Sequence, residues 1–423
     1  MKMVGNCTMT DEGKYQYDGT VSEILAKVGL KVKVFVVSGE QDQEKIDKLG
    51  GKVLGHKWLP GDDVLMYSLT VNIHPKRLKM RTGPDLTVED LEKLDEVIFT
   101  KRKILSIING FFDPMGLLSA YLIKFKILMK ELFGEADYDW DTPLPEALQI
   151  KWRNMVREVV MAEDIVFQRG VRPSGAIGRP EIISYWDGSM SAYAAVVYVR
   201  WKVPTSDSTM SEDETFSPLE EEFQRAASYS WKTSILVAKA RVTPTKGITA
   251  PRSELNGMVV MSRLISIVTK SMPEKPCRIT MIGDSECTIA ALENQTANLA
   301  SYFANRIMEV EDKMKGWGVK IPEENCLLDT EEEILMGDYP TEVDPVFHIA
   351  GTDNVADLAT RGAASVRSIS SGSVWQDGPS YLQGSRKFWP ISRQFLRQIP
   401  TEEQRNKFCN LVSDLDLENL KKI

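Results

Sequence analysis

Four carboxylates stand at places where chemistry could be done. Asp187 opens the polar turn Asp-Gly-Ser between two apolar, β-branched and aromatic runs. Glu254 follows Pro251-Arg-Ser, Asp284 follows the apolar run ending at Gly283, and Asp357 closes Asn-Val-Ala-Asp. The flanking runs predict a hairpin over residues 182–201, so Asp187 falls where a strand leaves the core. Pro251 predicts a helix start with Glu254 in its first turn, Asp284 ends a central strand, and Asp357 begins a last helix. Singly, each has an ordinary explanation. Asp284 and Asp357 suit helix N-termini, and Glu254 beside Arg252 suits a surface ion pair worth less than about 1 kcal/mol. Together, strand ends on one side of an α/β sheet would gather all four into one cleft. Carboxylates that close repel unless a cation joins them, and Mg²⁺ or Mn²⁺ prefers oxygen ligands. Two such ions about 4 Å apart activate a water and stabilise the leaving oxygen of an in-line phosphodiester cleavage.

The elements that must hold these residues follow from pattern. Apolar spacing predicts strands at 31–37, 52–59 and 65–73, the last two as a hairpin about Pro60-Gly61-Asp62. Thr87 with Asp90 reads as a capping box ahead of a helical face at Leu91, Leu94, Val97 and Ile98. Further helices are expected over about 100–109, 117–133 and 145–161, forming a bundle or connector. Residues 172–180, with their Gly and Pro, read as a linker. Beyond it come strands at 234–240, 278–282 and 346–349, alternating with helices from 251, over 285–293 and near 299–315. Two acidic stretches, 204–225 and 322–344, read as insertions, the first of them flexible.

Composition bounds the rest. A chain of 423 residues with 43% hydrophobic content has room for two or three cored domains. Its net charge of −8 speaks against a general nucleic-acid binder, although Lys76, Arg77, Lys79, Arg81, Lys101, Arg102 and Lys103 cluster between 74 and 103. Two readings fit that cluster, a solvated face and a phosphate-contacting one. Five scattered cysteines without a Cys-x-x-Cys pair suggest neither a disulfide framework nor a zinc site, and three histidines exclude a His-rich metal site. A reducing, intracellular compartment is expected, cytoplasmic or nuclear. No apolar run reaches the roughly 18 residues of a membrane span.

Several motifs, in order and spacing, resemble one family. Asp187-Gly-Ser, Pro251-Arg-Ser-Glu254-Leu-Asn, Asp284-Ser and His348-Ile-Ala-Gly-Thr-Asp-Asn-Val-Ala-Asp357-Leu-Ala-Thr-Arg-Gly look like the ribonuclease H region of BEL/Pao-type retrotransposon polyproteins, often named the Pao retrotransposon peptidase family. Phe111-Phe-Asp-Pro-Met-Gly-Leu-Leu-Ser, Asp139-Trp-Asp-Thr-Pro-Leu-Pro, and Trp375-Gln-Asp-Gly-Pro through Trp389-Pro390 extend the likeness over nearly all of residues 50–390.

The resemblance implies an α/β fold, a ribonuclease H-like mixed five-stranded sheet flanked by helices. It implies a small incomplete α+β reverse transcriptase remnant at 1–84, a helical connection region at 85–175, the ribonuclease H-like domain at 180–365 and a C-terminal extension at 366–423. Val53-Leu-Gly-His-Lys-Trp58 resembles a primer-grip strand. No Tyr-x-Asp-Asp and no Asp-Thr-Gly or Asp-Ser-Gly occurs, so neither polymerase nor peptidase activity is expected of this chain.

Carried over residue by residue, Asp187, Glu254, Asp284 and Asp357 match the family's metal-binding carboxylates. His348 matches a histidine that assists proton transfer or product release, which a near-neutral pKa permits. The expected cofactor is a pair of Mg²⁺ or Mn²⁺ ions. The expected reaction cuts the RNA strand of an RNA–DNA hybrid, leaving 3′-hydroxyl and 5′-phosphate ends. Arg77, Lys79, Lys124, Lys126 and Lys130 are the expected duplex contacts, and the remainder of a polyprotein is a further partner. A catalytically silent remnant that binds nucleic acid or acts as a scaffold is the alternative.

Overall fold

The computed structural model describes residues 7–9, 15–17, 26–29, 36–49, 56–74, 76–77, 80–134, 139–205, 229–246, 248–293 and 299–393. It divides into two compact units, Met1–Tyr67 and Ser68–Ile423. In the first, β1 (Cys7–Met9) pairs antiparallel with β2 (Tyr15–Tyr17), helix α1 spans Gln43–Leu49, and β3 (Lys57–Leu59) pairs with β4 (Val64–Tyr67). The β3–β4 hairpin is the one expected about Pro60. Its turn is pinned by Trp58 Nε1, which donates to Asp63 Oδ1 at 2.9 Å. Residues 31–35 and 52–55 of the expected strands lie outside the described residues, as does nearly all of the first acidic stretch.

The second unit opens with a small antiparallel pair, β5 (Lys76–Arg77) and β6 (Met80–Arg81). The Thr87 and Asp90 capping box forms, but it starts two short 3₁₀ turns, Val88–Asp90 and Glu92–Glu96, instead of the expected helix through Ile98. The reason is burial. Leu94 is fully buried, while Val88 and Ile98 are more than half exposed, so the apolar face has one anchor where a helix needs several. Helices α2 (Lys101–Ile108), α3 (Ser119–Gly134) and α4 (Glu146–Val160) then appear where expected, followed by β7 (Ile165–Gln168). Ala120, Tyr121, Ile123, Phe125 and Leu132 of α3 are fully buried, a wider apolar surface than one stripe. Among its neighbours is β10, where Ala238 N donates to Met115 O just ahead of α3. The helices expected as a connector thus share one compact unit with the sheet.

The main sheet is mixed. Strands β8 (Ile177–Gly188), β9 (Ala192–Pro204) and β10 (Tyr229–Val242) form an antiparallel meander, and β11 (Arg278–Gly283) joins β8 in parallel. Between β10 and β11 runs helix α5 (Ala250–Ser271), and after β11 come α6 (Glu286–Glu293) and α7 (Ser301–Lys315). The sheet is completed by β12 (Val319–Lys320), β13 (Glu342–Val343), β14 (Phe347–Ile349) and β15 (Ile391–Ser392), in the order β10-β9-β8-β11-β13-β12 with β14 along β11 and β15 on β14. The five expected strands are therefore extended by three two-residue pieces, too short to carry any periodic signal. One face of the sheet buries Ile182, Val197, Val199, Ile279 and Met281 against α5 residues Leu255, Met258, Met261 and Ile265, with Phe303, Ile307 and Val310 of α7 behind. On the other face Tyr185 OH meets Tyr381 OH at 2.7 Å, Tyr198 OH donates to Trp375 O at 2.9 Å, and Trp375 Nε1 donates to Leu117 O at 2.7 Å. No helix among the described residues is long and apolar enough to cross a membrane.

Two stretches expected as peripheral are built into this layer. Residues 172–180 lead into β8, and Arg179 donates to the carbonyls of Lys275, Pro276, Ile334, Gly337 and Tyr339. Residues 322–344 supply α8 (Glu332–Met336), β13 and the counter-charges of a buried ionic network. In that network Arg200 Nη1 donates to Glu181 Oε2 at 2.7 Å, Thr330 Oγ1 donates to Glu181 Oε1 at 2.5 Å, and Arg386 lies 3.5 Å from Glu181 and in contact with Asp344. Arg278 pairs with Glu342 at 2.5 Å. Burial alone would raise the Glu181 pKa, but Arg200, Arg386 and Arg278 outweigh it and hold the carboxyl at about 2. Breaking a buried pair from one side strands the other charge. Arg386→Met is therefore expected to cost about 3–5 kcal/mol in urea unfolding. A loss below about 1 kcal/mol, the range of exposed pairs, would show that these charges are not coupled.

Candidate active site

Sheet register brings the first two aspartates together. Trp186 of β8 and Gly283 of β11 are the last paired rung of two adjacent parallel strands, so Asp187 and Asp284 follow at the same end, one residue beyond it. Asp187 is 6% exposed, and its Oδ2 accepts from the Thr360 hydroxyl. Asp284 Oδ1 accepts from Asn354 Nδ2 at 3.1 Å, and the same amide donates to Trp186 O at 2.9 Å. Asn354 also caps the 3₁₀ helix Val355–Ala359 by accepting from Ala356 N at 3.1 Å, so one side chain ties the turn carrying Asp357 to both strands. Asp357 sits on that short turn where a longer helix was expected, and Arg361 Nε lies 2.5 Å from its Oδ1. The Asn354-to-Arg361 segment, singled out by its motif, thus contacts all three aspartates.

Electrostatics records the same convergence. Burial first, and the Asp187 carboxylate second, push Asp284 up to about 6, with the Asn354 amide and Arg361 offsetting part of the rise. Asp357 is pushed up to about 6 by burial and then by Asp187, with a smaller contribution from Asp284 and an opposing one from Arg361.

Glu254 reaches the site from helix α5 and accepts from Ser285 Oγ at 2.5 Å, the residue after Asp284. The helix starts there because Thr249 takes the N-cap position and Pro251 suits the first turn. His348 lies on β14 at the rung of Gly283, and its Nε2 is 4.0 Å from Glu286 Oε1, a carboxylate outside the expected set. Among the described residues no group of three or more His, Cys, Asp or Glu stands at metal-ligand spacing. The donor set is nonetheless all oxygen. The repulsion that lifts Asp284 and Asp357 is what a divalent cation relieves.

The expected duplex contacts divide. Lys124 Nζ pairs with Glu158 at 2.7 Å and lies 3.9 Å from the Tyr121 ring centroid, and Lys130 Nζ donates to Thr243 Oγ1 at 2.6 Å and to Met190 O at 3.2 Å. Both have structural partners. Lys126 faces Lys239 and Arg241 of β10, with Asp113 opposing, and the two β10 cations are exposed. That row was missed in sequence, although alternation at 239 and 241 marks both as pointing off one face. Arg77 lies on β5 with its side chain undescribed, and Lys79 lies outside the described residues.

Comparison with known proteins can now be set beside this geometry. Residues 100–211 and 223–285 match the family model described as Pao retrotransposon-like RNaseH-like domain. The match takes in Asp187, Glu254 and Asp284 and stops before His348 and Asp357. Over those residues the chain carries a retrotransposon ribonuclease H-like region. A search of curated proteins finds no match.

Solved structures similar to the chain include RNase H1 from the halophilic archaeon Halobacterium salinarum NRC-1, at 10% identity over 41% of this chain and 89% of that one, with a TM-score of 0.22. The N-terminal RNase H domain of a Mycobacterium tuberculosis protein, solved as a maltose-binding protein fusion, matches at 10% identity over 44% and 99%, with a TM-score of 0.23. A foamy viral protease-reverse transcriptase in complex with double-stranded DNA matches at 10% identity over 54% of this chain and 33% of that one, with a TM-score of 0.32.

The raised pKa values fix a pH dependence. An acid whose folded pKa exceeds its unfolded value binds more protons when folded, so its contribution falls as pH rises from about 4 to about 6 and stays lost above that. Asp284→Asn should therefore raise the thermal midpoint at pH 8 relative to the parent, in EDTA, and leave it nearly unchanged at pH 4. An equal shift at both pH values would mean that the Asp284 charge is not under repulsion.

Proposed function

We propose that the chain is a ribonuclease H-type nuclease that hydrolyses the RNA strand of RNA–DNA hybrids. One observation carries this reading: three aspartates from two strand ends and a capped turn meet closely enough to raise each other's pKa. Asp187, Glu254, Asp284 and Asp357 would hold Mg²⁺ or Mn²⁺, and the ions when bound supply a water acidic enough to attack phosphorus at neutral pH. The chain's own groups fix the carboxylates. Thr360, Ser285 and Asn354 each hold one oxygen of Asp187, Glu254 and Asp284, so little reorganisation remains for the reaction. With pKa values near 6, Asp284 and Asp357 can exchange protons close to neutral pH. His348 is assigned to proton transfer or product release at the rim, where Glu286 would favour its charged form. Lys126, Lys239 and Arg241 are assigned to the phosphate backbone of the duplex. The work belongs inside the cell, in the cytoplasm or nucleus, alongside any remaining polyprotein.

A second reading, a catalytically silent nucleic-acid-binding module, is favoured by two features: Arg361 occupies an oxygen of Asp357, and no three ligands stand at metal spacing among the described residues. A labelled RNA–DNA hybrid incubated with the protein in Mg²⁺ or Mn²⁺ separates the two. The nuclease reading expects cleavage that Asp187→Asn and Asp284→Asn each reduce more than about 100-fold, beyond the effect of a second-shell change. Binding without cleavage in either metal would assign the silent module. Independently of turnover, Mg²⁺ should raise the thermal midpoint of the parent and not of Asp187→Asn, because a ligand stabilises only the fold that binds it.

A further inference from the structure

The opposite end of the sheet from the carboxylates holds a cleft of about 680 Å³ that the nuclease reading leaves unused. Strand β11 runs from Pro276 in its wall to Asp284, so about 20 Å separates the two places. Lys270 ends α5, Lys275 lies on the loop into β11, and Lys313 and Lys315 end α7; all four line the cleft with Trp317 and Tyr339.

Helix C-termini attract cations, which accounts for three of these lysines one at a time. It accounts neither for Lys275 nor for the scarcity of counter-charge. Among the described residues no ion pair forms at Lys270, Lys275 or Lys315, and Lys313 has only Glu309 at 3.8 Å. Asp312 and Asp338 also line the cleft, leaving four cations against two anions.

Behind the wall stands Arg179. Its guanidinium is held by five carbonyls, three of them from the wall residues Lys275, Pro276 and Tyr339, and by no carboxylate among the described residues. Carbonyl dipoles solvate that charge without cancelling it, so it adds to the potential in front of the wall. In a chain of net charge −8 this is a local reversal of sign. Trp317 is nearly buried, with Nε1 donating to Ser266 Oγ at 2.9 Å, whereas Tyr339 is 47% exposed. An exposed phenol ring on a basic wall is a surface on which a base can stack.

We propose that this cleft binds single-stranded nucleic acid, its lysines meeting successive phosphates and Tyr339 stacking a base. The site is independent of the nuclease reading. Anisotropy of a labelled twelve-nucleotide thymidylate strand, titrated with the full chain in EDTA between 50 and 200 mM salt, tests it. Lys270→Gln with Lys315→Gln should lower the slope of log K against log salt by about 2, roughly one per lost phosphate contact. Tyr339→Leu should weaken binding about fivefold or more at every salt concentration without changing the slope. An unchanged slope in the double variant, or an equal loss of strand and hybrid binding, overturns the proposal. So does loss of strand binding in Lys239→Gln with Arg241→Gln while the cleft variants bind normally. Thymidine monophosphate displacing the strand at matching affinity would make the cleft a mononucleotide site and also overturn it. A parent protein that binds the strand through the cleft but cuts no hybrid would leave this proposal standing and remove the nuclease one.

Discussion

How near helix α5 comes to the end of β8 governs everything at the acidic end of the sheet. A Cβ on Gly188 would lie 2.2 Å from Glu254 N, and one on Gly257 would lie 2.5 Å from Asp187 O. Neither position tolerates a side chain without moving the helix, so backbone rests directly on backbone. Ser253 Oγ closes the contact by donating to Ser189 O at 2.6 Å. Only because the helix is seated this deeply does Glu254 share an end of the sheet with Asp187. The large apolar face of α5 provides the force that keeps it there.

Crowding acids at that end creates a repulsion that the protein meets with donors. Neutral hydroxyls and an amide take single oxygens of three carboxylates, and Arg361 takes one of the fourth. Repulsion is then left partly unrelieved, and it shows as protons retained on Asp284 and Asp357 at a pH where free aspartate has lost them. A fold with this arrangement can stand without a cation and still gain from one. Such a balance is common where function needs charges that stability would avoid.

Much of this was legible in the chain because it rests on periodicity. The β8–β9 hairpin, β11 and α5 are long enough for apolar spacing to reveal them, and the acids were visible because each ends or begins an apolar run. Their partners were not: Thr360, Ser285 and Asn354 are polar residues in short turns, and a hydroxyl has no periodic signature. Lys124 and Lys130 read as free cations because sequence does not show Glu158 or Thr243 across the fold. The acidic 322–344 stretch read as an insertion for a related reason. Composition counts charges without pairing them, and Glu342 and Asp344 are the counter-ions of buried arginines. The 87–98 helix failed because one buried leucine cannot anchor a face.

The buried network also sets an order in time. Glu181 and Arg200 leave the ribosome early, yet Arg200 is completed by the carbonyls of Leu382 and Gly384 and Glu181 by Arg386. At about 5–20 residues per second, the 186 residues from Arg200 to Arg386 take about 10–40 s to appear. Throughout that interval the central hairpin holds charges whose final partners do not yet exist, so it must remain hydrated at that edge. The β8–β9 pair can form during synthesis, but the sheet cannot dry until the chain is nearly finished.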